Sequence, residues 1–182
     1  MVLTMEYPML HGTDQIEHTF VWLGGTATED WDWRKELIPY MDKRISYYDP
    51  YIRPGDGLEW DEAARQNEQK AKKYAICHVY VLTSGMKGVF SIEEITEAVL
   101  TAKDRAGMTV CVAVLDYNNS LSKEMKSSLH ACVERWSELG AHIETTLMGV
   151  AKYVNSYYAK AYEPVPLHGI DKYYAGAKMN SF

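Results

Sequence analysis

The sequence predicts an α/β fold with a mostly parallel sheet of about five strands. Residues 75–84 (AICHVYVLTS) and 109–116 (TVCVAVLD) are near-continuous apolar runs, which are typical of strands buried on both faces of a parallel sheet. Helical patterns alternate with strand patterns along the chain. A chain of 182 residues corresponds to one domain that can bury a core without disulfides or a metal.

An apolar run and a helical stripe mark the first strand and helix. The segment HTFVWLGG (18–25) predicts a short buried strand that ends in a glycine pair. Asp30 is expected to cap a helix over 31–41, where apolar residues recur at helical spacing. Pro39 disfavours the last turn of this helix.

The second strand and helix differ sharply in composition. The segment ISYYDPYI (45–52) is β-branched and aromatic and is closed by Asp49 and Pro50, so it predicts a strand and a turn. Residues 59–73 are charged with alanines at intervals, which indicates a solvated helix with a weak apolar face.

The remaining elements follow the strand at 75–84 in regular alternation. A helix over 91–107 has an apolar inner stripe. The later elements are a strand at 109–116, a helix over 121–140, a short strand at 141–146 and a helix over 149–162. The predicted organisation is an N-terminal extension (1–16), the domain itself (17–160) and a C-terminal tail (161–182).

Composition and charge exclude several classes of function. Nineteen Lys and Arg against 25 Asp and Glu give a net charge of -6, which argues against a nucleic acid polymer or an anionic membrane as partner. No apolar run approaches the length of a membrane span, and no signal peptide is readable. Three widely spaced cysteines without a CxxC pair favour a reduced, cytoplasmic setting.

Candidate site residues lie where the predicted strands end. Ligands of parallel α/β sheets bind outside the carboxyl ends of the strands, where these loops converge. The residues concerned are Gly24, Gly25 and Thr26 after the first strand, Asp49 after the second, Thr83, Ser84, Gly85 and Gly88 after the third, and Ser91, Glu93 and Glu94 at the next helix start.

Two interpretations of Ser91 and Glu94 share one geometry. Ser-x-x-Glu before an apolar helix is the pattern of a capping box, and spacing alone favours that interpretation. A carboxylate at a helix start is also kept ionised by the helix dipole, as a nucleophile at an anomeric carbon requires. Spacing does not separate the two interpretations.

Other features point mainly to structure. His78 lies inside an apolar strand and is expected to be a core histidine. A metal site is not expected, because the sequence has no second His or Cys at the spacing of metal ligands. No Walker A loop, GxSxG motif or Cys-His signature is present. The tyrosine-rich segment 153–174 is expected to serve packing or an interface. The charges of residues 59–73 are expected to form a solvated face, with Glu68 as the residue that can point into the cleft.

The blocks VWLGGTATEDWDWRKELIPYM, ISYYDPYI and YAICHVYVLTSGMKGVFSIEEITEAV resemble the nucleoside 2-deoxyribosyltransferase-like proteins. The resemblance is to the branch with an LGGT start, a Trp-Arg helix and a GxxSIxE segment, and it covers about residues 20–116. It implies a Rossmann-like, flavodoxin-type three-layer sandwich. It also implies cleavage of the N-glycosidic bond of a 2-deoxynucleoside, with transfer of deoxyribose to another base or to water, and no cofactor.

The resemblance also assigns roles to residues of this chain. Glu94 takes the position of the nucleophile that attacks C1′, with Glu93 next, and Asp49 or Glu68 is the candidate acid for the departing base. The substrate-binding positions are Trp22, Gly24, Gly25, Thr26, Asn67, Ser84, Gly88 and Ser91. The aromatic residues expected to exclude water are Trp22, Trp31, Trp33 and Tyr48.

The chain departs from the family at three places. Trp22 stands where some members have a Tyr that hydrogen-bonds the nucleophile, and Glu68 replaces a usual Asp. The C-terminal tail, with Tyr173, Tyr174 and Asn180, matches no family motif, although in some members this segment completes the site of a neighbouring subunit. The family's habit and the tyrosine-rich tail favour a homo-oligomer.

Three other functions remain open at this point. A hydrolase of deoxynucleoside 5′-monophosphates would hold its phosphate on the loop at 83–91, where Lys87 is the only basic residue. A binding module would recognise a nucleoside or nucleotide without turnover. A structural subunit would use its aromatic tail as an interface and bind no nucleoside.

Overall fold

A computed structural model describes residues 16–57 and 59–162, and its centre is one sheet of five strands. The strands are β1 (Val21–Gly25), β2 (Tyr47–Tyr48), β3 (Cys77–Thr83), β4 (Thr109–Leu115) and β5 (His142–Glu144). They lie in the order β2-β1-β3-β4-β5 and every pair is parallel. This is the flavodoxin-type order.

Five α-helices of the described residues cover both faces of the sheet. They are α1 (Trp33–Leu37), α2 (Glu62–Tyr74), α3 (Phe90–Asp104), α4 (Lys123–Glu138) and α5 (Leu147–Tyr162). Helices α2, α3 and α4 pack on one face, and α1 and α5 on the other. The predicted three-layer α/β sandwich is confirmed.

Strand β3 lies at the centre of the sheet, and all seven of its residues are buried. Because successive side chains of a strand alternate, Tyr80 and Leu82 face α2 and α3 while Val79 and Val81 face α1 and α5. The continuous apolar character of this segment therefore reflects burial on both faces, as predicted.

Helix α1 starts and ends differently from the prediction. Its N-cap is Asp32, whose carboxylate accepts a hydrogen bond from Lys35 N at 3.4 Å, so the expectation of a cap at Asp30 is wrong. The α-helix stops at Leu37 and continues as a 3₁₀ turn through Ile38–Tyr40. Pro39 within that turn cannot donate an α-helical hydrogen bond, which explains the change.

Strand β2 is only two residues long and lies within the strand and turn that the sequence predicted over 45–52. The Asp49 carboxylate accepts a hydrogen bond from Tyr51 N at 3.0 Å and turns the chain at that point. The predicted end of the strand at Asp49 is therefore confirmed, and the strand itself is shorter than the apolar pattern indicates.

Two expectations concern the ends of the chain. Residues 1–15 of the predicted extension and residues 163–182 of the predicted tail, with Tyr173, Tyr174 and Asn180, lie outside the described residues. Within the described ranges, no helix combines the length and apolar character needed to cross a bilayer.

Candidate functional site

An open cleft of about 980 Å³ runs between α2 and α3. Three glutamates line it, Glu68 from α2 and Glu94 and Glu97 from α3. The exposed rings of Trp60 and Phe90 stand at the same cleft, and Lys72 lies between the helices. The topology thus brings together residues that are far apart in the sequence.

Glu94 lies in the second turn of α3 and forms an ion pair across the cleft. Its Oε1 accepts a hydrogen bond from Lys72 Nζ at 2.9 Å. The glutamate side chain is 12% exposed and the lysine side chain 23%, so water screens the pair only in part. The carboxylate is held near the positive end of the helix dipole.

The predicted capping box at the start of α3 is wrong. The helix begins at Phe90, its N-cap is Val89, and no side chain caps it. Ser91 therefore lies inside the first turn, where its backbone cannot act as the cap. The carboxylate of Glu94 is bound to Lys72. This removes the structural explanation that spacing alone favoured for Glu94.

Glu68 is half-buried on the facing surface of α2. Burial raises the pKa of its carboxyl group, and the negative charge of Glu94 raises the pKa further, against a hydrogen bond from Trp60 that lowers it. Trp60 Nε1 donates that bond to Glu68 Oε2 at 3.4 Å. Glu94 and Glu68 therefore have different environments, because Glu94 is paired with Lys72 and burial raises the pKa of Glu68.

The sheet beneath the cleft carries two buried polar atoms, Trp22 Nε1 and the Tyr80 hydroxyl. In the part of the chain that the structure describes, neither has a hydrogen-bond partner. Trp22 stacks on Tyr48 with ring centroids 5.6 Å apart, while burial and then the charge of Glu94 hold the pKa of Tyr80 well above its ordinary value. Tyr80 is thus a neutral hydroxyl close to Glu94.

The glycine pair of β1 has a packing reason. A Cβ on Gly24 would lie 2.5 Å from the ring of Tyr80 and 2.7 Å from Trp22 Nε1. A Cβ on Gly25 would lie 2.3 Å from the Val81 carbonyl oxygen, and the φ of Gly25 is +106°. The resemblance places these two glycines at the substrate. In the structure, the absence of a Cβ at each of them leaves room for the neighbouring strand β3.

Asp49 lies in a buried ion network beside the cleft. Its Oδ2 accepts from Arg53 Nη2 at 2.7 Å, and its Oδ1 lies 3.3 Å from Arg34 Nε. Arg53 also binds Asp32 through two nitrogens. With Tyr51 N on Oδ1, both oxygens of Asp49 are occupied by donors, and no oxygen is left for a substrate.

Arg34 joins this network to the end of β1. Its guanidinium donates to Leu23 O at 3.0 Å and to Thr26 O at 2.9 Å. Burial lowers the pKa of Arg34 to about 10, with Asp49 opposing the shift, so the group stays charged at neutral pH. The arginine of the Trp-Arg pattern thus stabilises the end of β1 and the loop that follows it through hydrogen bonds to their carbonyl groups.

A smaller pocket of about 260 Å³ adjoins the cleft, and Phe90 lines both. It collects four of the residues predicted at the strand ends, together with a cation. Its lining includes Gly25, Thr26, Gly88, Ser91 and Lys87. Thr26 Oγ1 also accepts a hydrogen bond from Thr83 N at 3.0 Å, so this side chain joins the loops after β1 and β3.

Several predicted residues lie outside these two pockets, among them Ser84, Asn67 and Glu93. Ser84 donates a hydrogen bond to Asn118 at 2.6 Å, which joins the loops after β3 and β4. Asn67 is half-buried beside Glu68 but does not line the cleft, and Glu93 is exposed on the outer surface of α3. Of the two glutamates considered for the nucleophile, the structure brings only Glu94 into the cleft.

The aromatic residues at the site differ from those predicted. Trp33 packs on the α1 side of the sheet and Trp31 contacts Tyr117, so neither encloses the cleft. Trp60 and Phe90 line it instead and are 60% and 67% exposed. No sequence signal separated these two rings from other surface aromatics, because their role depends on the gap between α2 and α3.

His78 lines the inner part of the cleft on β3. Burial lowers its pKa to about 4, and its Nε2 lies 3.3 Å from Ala75 O. The ring is therefore neutral near pH 7 and packed in the core, as the sequence predicted. Among the described residues, no group of three or more His, Cys, Asp or Glu side chains is placed to bind a metal.

Comparison with protein-family models finds no match to this chain, and comparison with curated proteins finds none.

Proposed function

We propose that this protein cleaves the N-glycosidic bond of a 2-deoxynucleoside through a covalent deoxyribosyl ester on Glu94. The deoxyribosyl group is then transferred to another base or to water. The observation that carries the proposal is the pairing of Glu94 and Glu68 in one cleft, the first ion-paired and the second with a raised pKa. Such a difference separates the roles of nucleophile and acid.

Glu94 is suited to the attack on C1′. Loss of the base gives C1′ oxocarbenium character, which a nearby carboxylate stabilises and then captures. The missing 2′-hydroxyl of a deoxynucleoside makes that cation easier to form, because an electron-withdrawing oxygen is absent. As the C1′–N bond breaks, its electron pair leaves with the base, and an oxygen of Glu94 forms the new bond to C1′.

Glu68 is suited to protonate the departing base. Its raised pKa keeps a larger fraction of the carboxyl group neutral near pH 7 than an ordinary glutamate would have. Asp49, the other acid considered, has both oxygens held by donors and is assigned a structural role. The raised pKa distinguishes Glu68 from a solvated helix residue.

The surroundings of the two carboxylates support binding of a nucleoside. Trp60 and Phe90 offer exposed aromatic faces at the cleft, against which a planar base can stack. The Tyr80 hydroxyl is buried close to Glu94, and burial and then the charge of Glu94 raise its pKa. A neutral hydroxyl of β3 thus lies near the nucleophile, where β1 has none.

A direct assay tests this function. The protein is incubated with each of the four 2-deoxynucleosides, and separately with their 5′-monophosphates, with and without a second free base. Release of the base is followed by chromatography. We expect release from at least one deoxynucleoside, and a ribonucleoside of the same base should react far more slowly because its cation is harder to form.

The outcomes of this assay separate the alternatives. Exchange that needs the second base indicates a transferase, and release without it indicates a hydrolase. Strong preference for the monophosphates would favour the hydrolase of deoxynucleotides, with the phosphate in the pocket beside Lys87 and Ser91. Saturable binding without release would favour a binding module and contradict the proposed reaction.

A pH profile tests the role of Glu68. A general acid acts only when protonated, so the rate should fall as the pH rises through the raised pKa of Glu68. Glu68→Gln cannot give a proton, and we expect base release to drop by about 100-fold with no alkaline fall in that range. A variant with the wild-type pH profile would assign the acid to another group.

A further inference from the structure

We propose that Lys72 is a positioning residue that holds Oε1 of Glu94 and leaves Oε2 free to attack the substrate. The inference rests on the proposed function, since it concerns the nucleophile of that reaction. It assigns a role to a lysine that no pattern in the sequence singled out.

The geometry gives Lys72 one main partner. Its Nζ lies 2.9 Å from Glu94 Oε1 and 3.9 Å from Glu97 Oε2. The Glu97 side chain is 72% exposed, whereas that of Glu94 is largely buried. Because solvent weakens exposed ion pairs, the contact with Glu94 is the stronger of the two. Among the described residues, Lys72 is also the only hydrogen-bond donor to the Glu94 carboxylate.

Lys72 also distinguishes Glu94 from Glu68. Glu68 precedes Lys72 by one turn on α2, a spacing at which the two side chains can pair. The ammonium group nevertheless bonds Glu94 on the opposite wall, while Glu68 accepts its hydrogen bond from Trp60. The charge of Lys72 therefore acts mainly on Glu94, whereas burial raises the pKa of Glu68 although Lys72 lowers it in part.

Both half-reactions use this arrangement. In the first, Oε2 of Glu94 bonds to C1′ while the C1′–N electron pair leaves with the base, which takes a proton from Glu68, and Oε1 becomes the carbonyl oxygen of the ester. In the second, a water oxygen or a base nitrogen bonds to C1′ and gives its proton to Glu68, and the electron pair of the C1′–Oε2 bond returns to the carboxylate. Lys72 stays bonded to Oε1 throughout and stabilises the negative charge when it returns.

The test compares three variants with the wild type under the assay described above. Lys72→Met is one atom shorter than lysine and removes the charge, and we expect kcat to fall by about 100-fold with a small change in KM. Lys72→Arg should recover most of kcat, because a guanidinium can hold the same oxygen. Lys70→Met removes the same charge from an exposed position on α2 that does not line the cleft, and should behave as wild type.

The split between kcat and KM separates positioning from a purely structural contact. A lysine that only joins α2 to α3 would lower the melting temperature of Lys72→Met and leave kcat unchanged. A lysine that orients the nucleophile acts on the step in which the bond to C1′ forms, so kcat should fall while KM stays nearly constant.

Each outcome decides the inference. A lower kcat of Lys72→Met at nearly constant KM, rescued by arginine, supports it. A lower melting temperature with unchanged kcat would show a structural contact and overturn it. If the wild type releases base and the rate of Lys72→Met is within twofold of it, this inference alone is overturned. A wild type that releases no base from any substrate overturns the proposed function as well.

Discussion

Glu94→Gln is expected to lower base release by about 1,000-fold or more while the protein stays folded. The amide matches the size of the carboxylate but is a poor nucleophile and carries no charge to stabilise C1′. We would measure single-turnover release of the base and the mass of the quenched protein. The wild type should gain one deoxyribosyl group on Glu94 during turnover, and the variant should gain none.

Glu93→Gln is the matched control for this prediction. Glu93 is the preceding residue of α3, but it is exposed and does not line the cleft. The substitution makes the same chemical change on the same helix turn, so activity close to wild type is expected. Loss of activity in Glu93→Gln with retention in Glu94→Gln would contradict the assignment of the nucleophile.

Arg34→Met should cause the largest loss of stability, about 3–5 kcal/mol in the free energy of unfolding. Arg34 is 1% exposed, and its guanidinium neutralises Asp49 and donates to carbonyl groups at the end of β1. Methionine fills part of the space but leaves a buried carboxylate with only Arg53 as a counter-charge. The buried carbonyl oxygens also lose their donor.

Urea denaturation measures this effect, and Arg44→Met provides the comparison. Arg44 also pairs with an aspartate, Asp42, but its side chain is 71% exposed, so little change in the free energy of unfolding is expected. A loss below about 1 kcal/mol in Arg34→Met would show that the buried network contributes little to the fold. If that variant does not fold, Arg34→Lys retains the charge and should show an intermediate loss.

The arrangement of the sheet follows from features that the sequence displays openly. The apolar run of β3 is buried on both faces, and the alternation of strands and helices requires parallel pairing through crossover helices. These features depend on hydrophobic patterning over many residues, so a local exception such as the shortened β2 does not change the fold. The three-layer prediction is therefore confirmed although several element boundaries are not.

Local signals at the ends of elements were less reliable. Asp30 and Asp32 both suit an N-cap, and only the backbone path selects Asp32. Ser91 and Glu94 fit a capping box, but the helix begins at Phe90 and the carboxylate pairs with Lys72. In each case a short motif allows several hydrogen bonds, and the competing partner comes from another part of the chain.

The sequence by itself determined the class of fold and the edge of the sheet where loop residues gather. It also predicted Glu94 and Glu68 as candidate acidic groups. The tertiary structure decided which of the remaining residues accompany them. It placed Asp49 in a buried ion network and brought Lys72 and Trp60 to the cleft. The physical reason is the difference between local and long-range interactions. Hydrophobic periodicity can be recognised within one segment, whereas an ion pair depends on the distance between two segments that are far apart in the sequence.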